Sequence, residues 1–131
     1  MSVTDTSHEV IGSIKVNYPL TRQFVDDLLV TAFEGGITYW CCDAHPVDNI
    51  YPEGATYVSD CLSRGRDIVI VEVGVEEVNE RKNHILTLDN LIFGIKCFMN
   101  MPNANNIFDD YDAWDADVII QFAVFGDVIY G

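Results

Sequence analysis

A chain of 131 residues with 21 acids against 7 lysines and arginines, net charge −14, fits one domain by length, and its field repels nucleic-acid phosphates and attracts basic partners. Lys96 is the last lysine or arginine, so the C-terminal third is purely anionic and direct binding to a nucleic-acid backbone is disfavoured. With 49% hydrophobic residues the chain needs no disulfide or metal to hold a core.

Residues 1–8 are expected to be frayed. Met1 to Val10 carries Asp5 and Glu9 without the basic start and apolar run of a leader, and no stretch approaches a membrane span. The expectation is a cytoplasmic protein whose Cys41, Cys42, Cys61 and Cys97 stay reduced. From Glu9 to Tyr18 the residues Val10, Gly12, Ile14, Val16 and Tyr18 alternate with Glu9, Ser13, Lys15 and Asn17, which predicts a first strand, although Ile11 breaks the alternation.

Thr21 is a good N-cap and Leu20 a staple for a helix beginning near Arg22. Phe24, Val25, Leu28, Leu29, Ala32 and Phe33 form its apolar face, with Asp26, Asp27 and Glu34 opposite. Gly35-Gly36 is expected to close it in the left-handed conformation, and Ile37 to Cys41 to follow as a short strand. Asp43 to Gly54, with two prolines, reads as a loop, and Ala55 to Arg64 as a short helix stopped by Gly65.

Asp67 to Val73 predicts a strand, Gly74 to Lys82 a polar turn, and Asn83 to Leu88 the hairpin partner. A helix follows from Leu88 to Asn100 with Asp89 as cap, and Pro102 and Asn103 to Asn106 interrupt the chain. The last helix, from about Asp112 to Phe125, is expected to bury Trp114, Val118, Phe122 and Phe125. Because a turn rather than a helical crossover joins the two clearest strands, the fold class is α+β: a small antiparallel sheet of about three to four strands with three to four helices packed on one face. Ile129 and Tyr130 suit either the core or a homodimer interface.

Two phrases, DLLVTAFEGGITYWC near the start and DADVIIQFAVFGDVIYG at the end, resemble a small uncharacterised family encoded by bacteriophages and mobile elements. The resemblance covers both ends and, loosely, Arg64 to Ile95. It implies a setting, since such proteins are often made to manipulate host or rival systems.

Three constellations bear on chemistry. Cys41, Cys42 and His45, with Cys61, His84 and Cys97, offer thiolate and imidazole, but adjacent cysteines on an extended chain point apart and no C-x-x-C or H-x-x-x-H pair exists. As a nucleophile pair they lack an oxyanion donor set, and the acidic field raises a thiol's pKa. The run DDYDAWDAD lacks the glycine and glutamate that a calcium loop requires. No catalytic residue, metal or cofactor is therefore assigned, and the protein is read as non-enzymatic.

The remaining reading is a non-catalytic inhibitor of the anti-CRISPR or anti-restriction type. Acids one helical turn apart, or two apart on a strand, stand about 6 to 7 Å from each other, close to the phosphate spacing of a nucleic-acid strand. Asp109, Asp110, Asp112, Asp115 and Asp117, extended by Glu72, Glu76, Glu77 and Glu80, are the expected partner-binding row, imitating nucleic acid toward a basic, nucleic-acid-binding host or defence protein. The alternative is a small-molecule or signalling-nucleotide sponge with Trp40, His45, Tyr51 and Arg64 as its pocket.

Overall fold

A helix starts where a polar side chain satisfies the free amides of its first turn, and Thr21 does so by accepting a hydrogen bond from the Phe24 amide at 3.1 Å. The computed structural model describes residues 6–73 and 80–131. Helix α1 (Arg22–Thr31) buries Val25, Leu28 and Leu29 and widens into a π-helical turn, Ala32–Gly36. Neither Gly35 nor Gly36 adopts a positive φ, contrary to the expected cap. Gly36 serves a close approach instead, since a Cβ there would stand 2.7 Å from the Ala113 carbonyl oxygen.

After that turn Ile37 and Trp40 are buried and Cys41 donates its amide to the Ile37 carbonyl at 2.8 Å. The chain joins the sheet only afterwards, as β1 (Cys41–Pro46). The expected strand at Ile37 to Cys41 is therefore displaced into the expected loop. The expected helix at Ala55 to Arg64 is two separate 3-10 turns, Val58–Asp60 and Leu62–Arg64.

Strands β2 (Ile68–Val73) and β3 (Arg81–Leu86) complete a three-stranded antiparallel sheet in the order β1-β2-β3. Pairing of β2 with β3 runs unbroken from Ile68 opposite Leu86 to Val73 opposite Arg81. Pairing of β1 with β2 carries an irregularity between Cys41 and Asp43. Helices α2 (Leu88–Met99) and α3 (Ala113–Phe125) pack with α1 against the sheet face bearing Ile68, Ile70 and Leu86. Val69 and Val71, which alternate with those residues, lie on the opposite face and outside that core cluster. A side-chain carbon at Gly94 would overlap the Ile119 carbonyl oxygen, so glycine sets how closely α2 and α3 cross. The cap of α2 is Thr87, which accepts from the Asn90 amide at 3.0 Å, rather than Asp89.

The expected first strand at Glu9 to Tyr18 does not form. Residues 9–20 form no regular secondary structure and are exposed as far as Pro19. Tyr18 stacks on Phe108 with ring centroids 4.5 Å apart and Leu20 packs against the core. These anchors hold the base of the segment on the helical layer and leave its alternating residues in solvent.

Candidate functional site

The most constrained polar group is the Asp117 carboxylate, 5% exposed on the inner side of α3. Its Oδ1 accepts from Trp40 Nε1 at 2.8 Å and from Gln121 Nε2 at 2.9 Å, and its Oδ2 accepts from the Tyr39 hydroxyl at 2.6 Å. Partial burial, then the bond to Asp117 and its charge, push the Tyr39 phenol up to about 12. Gln121 Oε1 accepts the amides of Ile129 and Tyr130 at 2.8 and 2.9 Å. One carboxylate and one carboxamide thus tie the segment after Ile37 to the C-terminal tail.

The tail returns the favour through its ring. Tyr130 stacks on Trp40 with centroids 5.6 Å apart and planes 3° from parallel, and its hydroxyl donates to Glu72. Glu72 also takes a bond from His84 Nε2 at 2.8 Å. Burial disfavours the charged Glu72, but the bonds from Tyr130 and His84 outweigh it and hold the carboxyl below its ordinary range.

Beside this network lies an open cleft of about 520 Å³ whose walls include Gly36, Tyr39, Trp114, Asp117 and Ile129. Trp114, expected in the core, is 60% exposed. From Asp115 to Gln121 every residue of α3 is buried, so the indole one position earlier stands outside the packed part of the helix. Phe122 and Phe125 are half-buried against the core.

The expected acidic row divides in two. Asp115, Asp117 and Glu72 are buried and hydrogen-bonded, so they face the interior and drop out of a docking surface. Asp115 belongs to a capping box: its Oδ2 accepts from the Asp112 amide at 3.1 Å while Asp112 Oδ1 accepts from the Asp115 amide at 2.9 Å. Asp109, Asp110 and Asp112 are exposed in the approach to α3. Glu80 is exposed just before β3, and Glu76 and Glu77 lie outside the described residues.

Two further acids join Asp109, Asp110 and Asp112. Tyr111 lies close enough to Asp27 of α1 that, after burial, that carboxylate's charge helps raise its phenol's pKa, while a bond from Thr31 lowers it. Exposed Glu34 belongs to the π-helical turn that meets Ala113 at Gly36. The result is an acidic rim around the start of α3, with Trp114 and Tyr39 within it.

The alternative pocket is not assembled. Trp40 is buried in the aromatic stack, Arg64 is bound to Asp26 at 3.1 Å and to the Asp60 carbonyl at 2.9 Å, His45 pairs with Asp43 at 2.9 Å, and Tyr51 is exposed. None of the four lines the cleft. Burial pushes the Cys41 thiol up to about 11 and raises that of Cys61, so both stay protonated at neutral pH. Among the described residues no three His, Cys, Asp or Glu side chains are grouped to hold a metal ion, and no helix is long and apolar enough to cross a membrane.

Asp117 and Gln121 form the polar hub that sequence reasoning missed. They stand four apart within the otherwise apolar run from Ala116 to Phe125, and two polar residues on one face of a buried helix signal an internal network. No protein-family model, curated protein or solved structure matches this chain.

Proposed function

We propose that the protein acts by binding rather than catalysis, and that it engages a basic, nucleic-acid-binding protein of a host or defence system through the acidic rim at the start of α3. The carrying observation is Trp114, an indole 60% exposed two to five residues after the exposed Asp109, Asp110 and Asp112. Carboxylates draw in lysine and arginine over a long range. The indole face then takes a guanidinium, worth about 0.5 to 2 kcal/mol by cation–π attraction. Occupying a basic groove in this way excludes nucleic acid from it, the mode of an anti-CRISPR or anti-restriction inhibitor. Because Asp115, Asp117 and Glu72 face inward, the contact is a compact patch rather than a long row imitating a phosphate backbone.

The test is recovery of partners from a bacterial lysate at low salt, followed by elution with rising salt or competing DNA. A basic partner should be retained by the wild type and lost by at least tenfold in Asp109→Lys/Asp110→Lys and in Trp114→Ala, with unchanged melting temperatures. Retention that ignores salt and both variants would remove this reading.

The cleft supports a second reading, a small-molecule site between Tyr39 and Trp114, because its volume falls within the range of roughly 300 to 1,000 Å³ common for ligand sites. Its lining contains no lysine, arginine or histidine. A signalling nucleotide's phosphates would meet no counter-charge there, so this reading favours a neutral or cationic aromatic ligand. Quenching of Trp114 fluorescence by such compounds, abolished in Trp114→Phe, would support it.

A further inference from the structure

We infer that the cleft beside the Asp117 network is a site for a quaternary ammonium ion, held by the rings of Tyr39, Trp114 and Tyr130 and by the charge of Asp117. The inference rests on the reading of that cleft as a small-molecule site and names the class of its ligand. Tyr39, Trp114 and Tyr130 line the cleft together with one carboxylate, Asp117, and the remaining lining residues are glycine, alanine, valine or isoleucine. A cation over the face of an aromatic ring is attracted by the ring's quadrupole, and most strongly where water is displaced.

The rings are placed for that contact before a ligand arrives. Tyr39 and Tyr130 meet with centroids 6.4 Å apart and planes at 89°, so two rings form a right-angled corner. Trp114, 60% exposed, adds a third aromatic surface to the same cleft. Tyr39 is fixed by its bond to Asp117, and Tyr130 by its stacking on Trp40 and its bond to Glu72. A corner built in advance spares the ligand the cost of ordering it.

The charge beside the corner has no counter-ion. The three donors to Asp117, from Trp40, Gln121 and Tyr39, are all neutral, and none of the ion pairs among the described residues includes it. The carboxylate is therefore hydrogen-bonded but not neutralised. The first turn of α3, the positive end of its dipole, also borders the cleft at Ala113 and Trp114, and the capping carboxylates of Asp112 and Asp115 offset it.

The scarcity of acceptors selects the kind of cation. A primary ammonium or a guanidinium carries N–H groups that need partners once water is displaced. The lining side chains supply only Asp117, which already takes three bonds, and the Tyr39 hydroxyl, which is spent on it. A quaternary ammonium has no N–H to satisfy, and its methyl groups suit Val118, Val128 and Ile129. On the outer indole face, where water remains, a partner's guanidinium meets no such cost, so the cleft and the acidic rim differ in what they take.

The experiment is titration calorimetry on the full chain with choline and with 3,3-dimethylbutan-1-ol, which has the same shape with carbon in place of the charged nitrogen. Sodium chloride at about 0.15 M screens diffuse attraction to the −14 surface. Choline is expected to bind one to one and about tenfold more tightly than the alcohol. In Trp114→Leu, which keeps an apolar wall but removes the ring face, choline should lose about fivefold with the melting temperature unchanged. Equal affinity for the two compounds would leave a small-molecule cleft and overturn the assignment to a cation. Binding of neither would remove both. Choline binding that ignores Trp114→Leu would be attraction to the acidic surface at large and would equally overturn the inference.

Discussion

At the C-terminal end the carboxylate of Asp117 takes three donors and the carboxamide of Gln121 holds two tail amides, whereas at the other end Val10, Ile11, Ile14 and Val16 stand in water. Both stretches mix polar and apolar residues in short sequence. From Asp115 to Gln121 of α3 the polar side chains are enclosed and hydrogen-bonded; from Val10 to Val16 the large apolar side chains are exposed. A buried polar group that is satisfied locks one conformation, because releasing it costs several kcal/mol. An exposed apolar group is stabilised only by what covers it. The contrast therefore separates a region that defines the fold from one that is available to a partner.

The sharpest way to break the comparison is Asp117→Ala. It strands Trp40 Nε1 and the Gln121 amide in a buried setting and removes the partner of the Tyr39 hydroxyl, so a loss of about 3 to 5 kcal/mol is expected. Urea unfolding with intrinsic fluorescence reads this directly. A loss below 1 kcal/mol would mean that the network is incidental to the fold. Trp114→Ala, on the same helix but outside its packed part, should leave the midpoint within about 0.5 kcal/mol of wild type.

The pH dependence sharpens the same point. In the folded protein the Tyr39 phenol is raised from its ordinary value of 10.0 to about 12, so the native state holds a proton that the unfolded chain has released. Its contribution is fully present below pH 10 and is lost as pH climbs toward 12. Wild type should therefore lose stability relative to Tyr39→Phe between these limits, since the phenylalanine has nothing to ionise. Glu72 acts in the opposite sense. Its carboxyl is lowered in the folded state, so its contribution is present above the unfolded carboxyl range and fades as pH falls through the folded value. Glu72→Gln should flatten the acid limb of the stability curve.

Much of the fold was legible because its signals are local. Thr21, the apolar spacing of α1 and the paired runs that became β2 and β3 need no knowledge of the rest of the chain. The misplaced strands share one cause, which is that strands depend on partners. Cys41–Pro46 has loop composition yet becomes β1 because an open edge of β2 lies beside it. Residues 9–18 have strand composition yet stay unpaired because Tyr18 and Leu20 are held elsewhere. The candidate site was half legible. Aspartates at a helix start usually face water, so Asp115 and Asp117 looked equivalent to Asp109 and Asp110 until packing distinguished them. Trp114 looked like core because large aromatics usually are.

The smallest expected effect on folding is the most informative about residues 9–16. Val10→Asp/Ile14→Asp alters two side chains that touch little of their own fold, so the melting temperature should be unchanged within error, and the free energy within about 0.5 kcal/mol. If the variant were instead destabilised by about 2 kcal/mol or more, residues 9–16 would be part of the core, and the contrast with α3 would disappear.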